Sequence, residues 1–191
     1  MKKINLSAGT FLAIISFSIA GSVIYELPYI RNVYYDKFVE AFGMTNAQVG
    51  FLMSAYAVGC LLLYIPGGIL ADKFSTKKML VLSLMGTGAL GIVMALSMNY
   101  VTALIAFFLF AVTTSFVFWA ALNKGLRIIG GKEDSGSTYG WYYALGSVIS
   151  LVCGLGFWAL YTSTENSHDA MFRTIMAMSI AVIVSGVLVQ I

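Results

Sequence analysis

Charge is what this sequence lacks most. Asp, Glu, Lys and Arg make up 10% of its 191 residues, against about 25% in soluble domains. With 60% hydrophobic residues, a water-soluble fold of this size could not hide its apolar surface, so lipid must serve as the solvent. Reactive groups are just as scarce. The single histidine, His168, stands beside Asp169 in a short polar stretch, where it is expected to be solvated. Both cysteines, Cys60 and Cys153, lie inside apolar runs and read as small core hydrophobes, not as a disulfide or metal pair. There is no metal constellation and no Ser-His-Asp set. The Gly130-Gly131-Lys132 stretch follows no strand, so it is no phosphate loop. These absences leave no cofactor to assign, no enzyme chemistry and no nucleic-acid site. With two prolines in all, there is also no Pro-rich linker.

What is present is a series of long apolar runs. A spanning helix needs about 20 mostly apolar residues. Six stretches qualify, at about 8–29, 47–70, 79–98, 101–122, 138–161 and 171–191. They are too long and too uniformly apolar for the roughly 10-residue alternating strands of a membrane barrel. The expected fold is therefore all-α, one bundle of six transmembrane helices over residues 1–191. The Lys2-Lys3 start resembles a signal peptide, but the apolar run continues past Ala20, so an uncleaved first span is expected.

The interruptions read as helix ends. Thr45 followed by Gln48 forms a capping-box pattern before the second span. Ser75 or Thr76, Ser135 or Ser137, and Ser167 are cap candidates for the third, fifth and sixth. Asn99 and Tyr100 leave almost no loop between spans three and four, which implies a tight antiparallel hairpin. The linker 31–43 is too polar to span; its Tyr34, Tyr35, Phe38 and Phe42 suit a helix extension or an interfacial segment. Basic residues cluster as Lys2 and Lys3; Lys73, Lys77 and Lys78; Lys124, Arg127 and Lys132. Only Arg31, Lys37 and Arg173 lie elsewhere. The positive-inside rule then predicts an inner-membrane protein with a cytoplasmic amino terminus.

One motif stands out between spans two and three: Gly68, Leu70-Ala71-Asp72-Lys73, then Lys77-Lys78. Asp72 ends an apolar helix beside cations that can pair with it or bind anionic headgroups. Gly67 and Gly68 permit close helix approach. This stretch, at this place, resembles the signature loop of the major facilitator superfamily; Ser75 and Thr76 depart from the usual Gly and basic residue, so the turn is expected to be built differently. The resemblance covers the chain as the amino-terminal six-helix half of a twelve-helix transporter. It implies that Gly68, Asp72, Lys73, Lys77 and Lys78 act in gating, with Asp72 contacting the other half. The stretches Leu27-Pro28-Tyr29, Tyr35-Asp36, Tyr64 to Gly68 and Phe118-Trp119 also resemble the YihN-like bacterial group. Span five has no Gly-Pro pair and span four no central arginine, which argues against a drug–proton antiporter.

Polar residues inside spans are functional candidates. Ser18, Ser22, Tyr25, Glu26 and Tyr29 share one face of span one, near a kink permitted by Pro28. They line a cavity, or else Glu26 sits at headgroup level with Tyr25 and Tyr29 as anchors. In span four, Ser115, Trp119, Asn123 and Arg127 recur every four residues. Arg127 and Lys124 either attract an organic anion or mark the cytoplasmic boundary. Tyr142 and Tyr143 belong to an aromatic belt or to the pathway. Gly136 and Gly140 read as helix packing. Spans three and six, poor in polar groups, fit the outer supporting helices that the resemblance implies, whereas spans one and four would line the route.

The expected function is secondary active transport of a small solute by alternating access, with Glu26 as the carboxylate placed for proton coupling. A non-transporting assembly partner or transporter remnant is the alternative. Besides the bilayer, the implied partner is a second six-helix half. That half would be a separate chain, a second copy or residues after Ile191, where no Lys or Arg follows the sixth span.

Overall fold

An apolar chain in lipid has to satisfy every backbone N–H and C=O within its own segments, which favours helices. The computed structural model describes residues 8–131 and 135–190, and among these there are helices and turns but no strand. Lys2, Lys3, Lys132 and Ile191 lie outside the described residues. The helices are α1 (Ala8–Ile24), α2 (Arg31–Ala41), α3 (Asn46–Lys73), α4 (Thr76–Ser97), α5 (Tyr100–Ala111), α6 (Ala120–Gly130), α7 (Ser135–Thr162) and α8 (Ser167–Leu188). A π-helical segment, Val112–Trp119, joins α5 to α6. That makes Tyr100–Gly130 one continuous rod.

Five of these rods are long and apolar enough to cross a membrane, and α1 is a shorter apolar helix. Its shortness has a local cause. Pro28 has no N–H to donate to the Ile24 carbonyl, so regular helix stops at Ile24. The chain continues through turns held by Glu26 N–H to Val23 O and Tyr29 N–H to Tyr25 O.

Helix ends follow side-chain chemistry. Thr45 and Gln48 form the expected capping box on α3. Asn99 caps α5, its side chain accepting from Thr102 N–H at 2.9 Å. The hairpin between α4 and α5 is as tight as expected, and its turn places Met98 at φ +26°, a region non-glycine residues rarely enter. Two expectations are corrected. Asn166, not Ser167, caps α8, accepting from Asp169 N–H at 3.1 Å. Ser75 occupies the cap position of α4 without a capping bond.

The rods pair as α1 with α7, α3 with the α5 rod, and α4 with α8. Glycines set the close approaches. A Cβ at Gly88 would stand 2.4 Å from Ile183, and one at Gly67 would stand 2.5 Å from the Phe116 carbonyl. Gly68 meets nothing within 4 Å, nor do Gly136 and Gly140. The packing role expected for these three is therefore not found among the described residues.

The polar linker is a helix docked on the bundle. Tyr34, Phe38 and Phe42 on or beside α2 are buried. Lys37 donates to the carbonyls of Tyr161 (3.0 Å) and Thr164 (2.6 Å) and lies 4.7 Å from the Tyr161 ring centre. Ser167 donates to Glu40 at 2.6 Å. The Lys37 bonds use a carbonyl in the last turn of α7 and one just past it, and the Ser167 bond adds the start of α8, so α2 is tied across that end of the bundle. His168 is exposed beside Asp169, as expected.

Candidate functional site

Two stripes of four-residue spacing face each other across α3 and the Tyr100–Gly130 rod. Tyr64, Gly68 and Asp72 lie on α3; Ser115, Trp119, Asn123 and Arg127 lie opposite, and the two rods run in the same direction. Between them is a cavity of roughly 480 Å³, lined by all seven residues together with Lys124. The Trp119 indole N–H donates to Tyr64 Oη at 2.7 Å, which fixes the ring. Asn123 donates to the Trp119 carbonyl at 2.8 Å and accepts from Tyr139 Oη at 3.0 Å.

A second cavity of roughly 350 Å³ lies on the other side of Trp119. Its walls include Ser22 and Tyr25 from the first span, and Tyr142, Tyr143, Ser147 and Ser150 from α7. Trp119 belongs to both cavities. The pathway reading of Tyr142 and Tyr143 thus has a geometric counterpart. Tyr64, Ser147 and Ser150 were missed in the sequence. Tyr64 had a signal, since it falls four residues before Gly68 and eight before Asp72.

The π segment supplies Ser115 and Trp119 to this site. Such segments leave backbone carbonyls out of register and often occur at functional sites. Here three successive hydroxyl residues latch it to neighbours. Ser83 donates to the Thr113 carbonyl (2.6 Å) and Thr87 to the Thr113 hydroxyl (2.7 Å). Thr114 pairs with the Tyr56 hydroxyl at 3.0 Å, and Ser115 with the Cys60 thiol at 2.9 Å. The run Thr113-Thr114-Ser115 within an apolar span was the available sequence signal.

Several predicted site residues fall elsewhere. Ser18 is fully buried and its hydroxyl is shared between the Ile14 carbonyl of its own helix (2.8 Å) and the Tyr142 carbonyl (3.1 Å), so it helps fasten α1 to α7 and lines neither cavity. Tyr29 is exposed, with its ring tilted against Tyr25 at 6.2 Å and edge-on to Tyr56 at 5.8 Å. Glu26 is half-buried, lines neither cavity and has no hydrogen-bond partner among the described residues. It lies toward α2: burial, with the Glu26 charge adding to it, holds the Tyr34 phenol up to about 12.

The charges at the cavity mouth are also arranged differently from expectation. Lys124 donates to the carbonyls of Ala71 (2.7 Å), Phe74 (3.3 Å) and Asp72 (3.4 Å). An ammonium has three protons, so this cation is fully engaged in capping α3. Asp72, Lys73, Lys77 and Lys78 are exposed, and no ion pair joins Asp72 to these lysines among the described residues. The turn after Lys73 is only Phe74 and Ser75, both extended. Arg127 is exposed, with its Nε–H toward the Asn123 carbonyl at 3.4 Å.

With this geometry established, the chain can be set beside known proteins. A family model described as Major Facilitator Superfamily matches residues 6–190. The chain is 30% identical to Inner membrane protein YqcE of Escherichia coli (strain K12) over 178 residues, covering 93% of this chain and 41% of the relative. It is 26% identical over 172 residues to Inner membrane protein YihN of the same organism, covering 90% and 41%. An L-fucose-proton symporter, again from that organism, is 30% identical over 133 residues, covering 65% of this chain and 30% of the relative. The chain thus spans about two-fifths of the length of the first two relatives.

Proposed function

Since the chain belongs to the Major Facilitator Superfamily, we propose that it forms a six-helix half of a secondary transporter that moves a small solute by alternating access. The groove on both sides of Trp119 is this half's share of the route. The observation carrying this reading is the facing of two polar stripes, on α3 and on the Tyr100–Gly130 rod, inside otherwise apolar helices. Unsatisfied polar groups in hydrocarbon are costly, whereas a water-filled path solvates them. The second half would cover α3 and α7, whose apolar faces are largely exposed. The relatives' greater length leaves room for such a half.

Orientation follows the same reading. Lys73, Lys77 and Lys78 stand at the end of the bundle where Lys124 reaches the α3 carbonyls. That shared basic end is assigned to the cytoplasm, with the amino terminus. Asp72 and its loop act in gating at this end, where Asp72 stays free to engage the other half.

The test is thiol accessibility. In a Cys60→Ala, Cys153→Ala background, Asn123→Cys in membranes is expected to react with a water-soluble methanethiosulfonate. An inert thiol in every condition would remove the route. Proton coupling through Glu26 is a separate element of the reading, supported by an unpaired carboxylate near the break at Pro28. Glu26→Gln is expected to flatten the pH dependence of uptake while leaving exchange intact. An unchanged pH profile returns Glu26 to an interfacial role.

A further inference from the structure

We infer that the solute is a neutral polyhydroxylated molecule of the sugar or polyol class, recognised around Trp119. This rests on the transport reading above and specifies its substrate. The expectation of an organic anion came from Lys124 and Arg127 and from the resemblance to the YihN-like group. Lys124 spends its three N–H donors on α3 carbonyls, and Asp72 brings a negative charge to the same cavity. Arg127 is exposed at the mouth.

Beyond Trp119 the chemistry is uncharged. The second cavity has no Asp, Glu, Lys, Arg or His in its lining. Apart from the Trp119 indole N–H, which is spent on Tyr64, its polar side-chain groups are hydroxyls, and those of Tyr25, Tyr143 and Ser150 have no hydrogen-bond partner among the described residues. Ser147 donates to the Tyr143 carbonyl and keeps its oxygen free to accept. Hydroxyls both give and take hydrogen bonds, so they suit a solute carrying several of the same group. An anion placed there would lose its hydration and meet no cation, which is strongly unfavourable.

The aromatic surfaces fit the same class. Trp119 is pinned by Tyr64, and Tyr25 packs edge-on against Phe118 at 6.2 Å. Tyr142 is buried with its hydroxyl seated over Gly21, where a Cβ would collide with it, and lies edge-on to Tyr143 at 4.9 Å. Rigid aromatic faces carry partial negative charge and attract the weakly positive C–H faces of a pyranose ring. A pocket of few, placed polar groups on an aromatic wall is the usual form of a small-molecule site.

The experiment is protection of a groove thiol. Ser147→Cys, in the Cys60→Ala, Cys153→Ala background of the whole protein in permeabilised vesicles, is treated with a cationic methanethiosulfonate. The probes are D-glucose, D-galactose, D-mannitol and, as the charged match to D-glucose, D-glucuronate. At least one neutral probe is expected to slow labelling. Trp119→Ala should weaken that protection by about threefold to tenfold, the usual worth of an aromatic contact; Trp119→Phe should retain most of it. Protection by D-glucuronate alone, lost in Arg127→Gln, would assign an anion and overturn the inference. Labelling without protection by any neutral probe would also overturn it, while leaving the aqueous route standing. No labelling of Ser147→Cys would remove the route and the substrate class with it.

Discussion

The α4–α8 pair and the exposed rods α3 and α7 are built from nearly the same kind of sequence, yet the fold treats them differently. All are long and strongly apolar. In α4 and α8, 50% and 44% of the most apolar window is buried; in α3 and α7 the figures are 22% and 6%. Gly88, Gly91 and Gly186 bring α4 and α8 into close contact, against Ile183, Ser179 and Leu84. On α7, Gly136, Gly140 and Gly154 meet nothing. In lipid, apolar character alone does not drive helices together, so small residues and hydrogen bonds decide the contacts. The difference teaches that hydropathy finds the rods and says nothing about which face is inside.

The largest expected effect comes from adding bulk to matched glycines. Gly88→Leu on α4 drives a side chain into Ile183 and the Ser179 carbonyl of α8, and that backbone cannot step aside. A loss of about 3 kcal/mol, or no folded protein, is expected. Gly140→Leu meets open space and should change the stability of the isolated chain by less than about 0.5 kcal/mol. Thermal unfolding in detergent reads both. If Gly140→Leu spares stability but abolishes uptake, a further segment packs on α7. Equal destabilisation by both would break the comparison.

A smaller effect separates two charges of one cavity. Lys124→Met removes the cation that caps α3 and should lower stability by about 1–2 kcal/mol. Asp72→Asn touches no bonded partner in the described residues. Its stability should be unchanged, while uptake slows and equilibrium solute binding stays nearly intact. A loss of binding with normal conformational exchange would place Asp72 in the solute site instead.

Much of the local structure was legible before any coordinates. Thr45 with Gln48 marked a helix start because a hydroxyl and an amide satisfy free N–H groups wherever they occur. Asn99 and the short spacing after Ser97 fixed the hairpin by chain length alone. Other local readings failed for lack of a partner. Gly67 and Gly68 are adjacent and chemically identical, yet only Gly67 faces Phe116. Ser18 and Ser22 shared a face with Tyr25, but α7 covers Ser18 and leaves Ser22 at the cavity edge.

The candidate site divides in the same way. The stripe from Ser115 to Arg127 could be read because four-residue spacing puts side chains on one helix face. That Tyr64 and Asp72 would face it could not, because relative rotation of two helices is set by packing. Lys124 looked like a free cation until its ammonium was found on three carbonyls of another helix.

The sequence by itself determined that this chain lives in lipid as apolar helices, and where most of those helices begin. Those are properties of hydropathy and of groups within a few residues of each other. Only the tertiary structure decided which polar residues share a cavity, that Glu26 stands apart from Trp119, and that α2 is docked against α7 and α8. The physical reason is that helices in an apolar medium choose their contacts by close fit and hydrogen bonds between residues far apart in the chain, which no local pattern records.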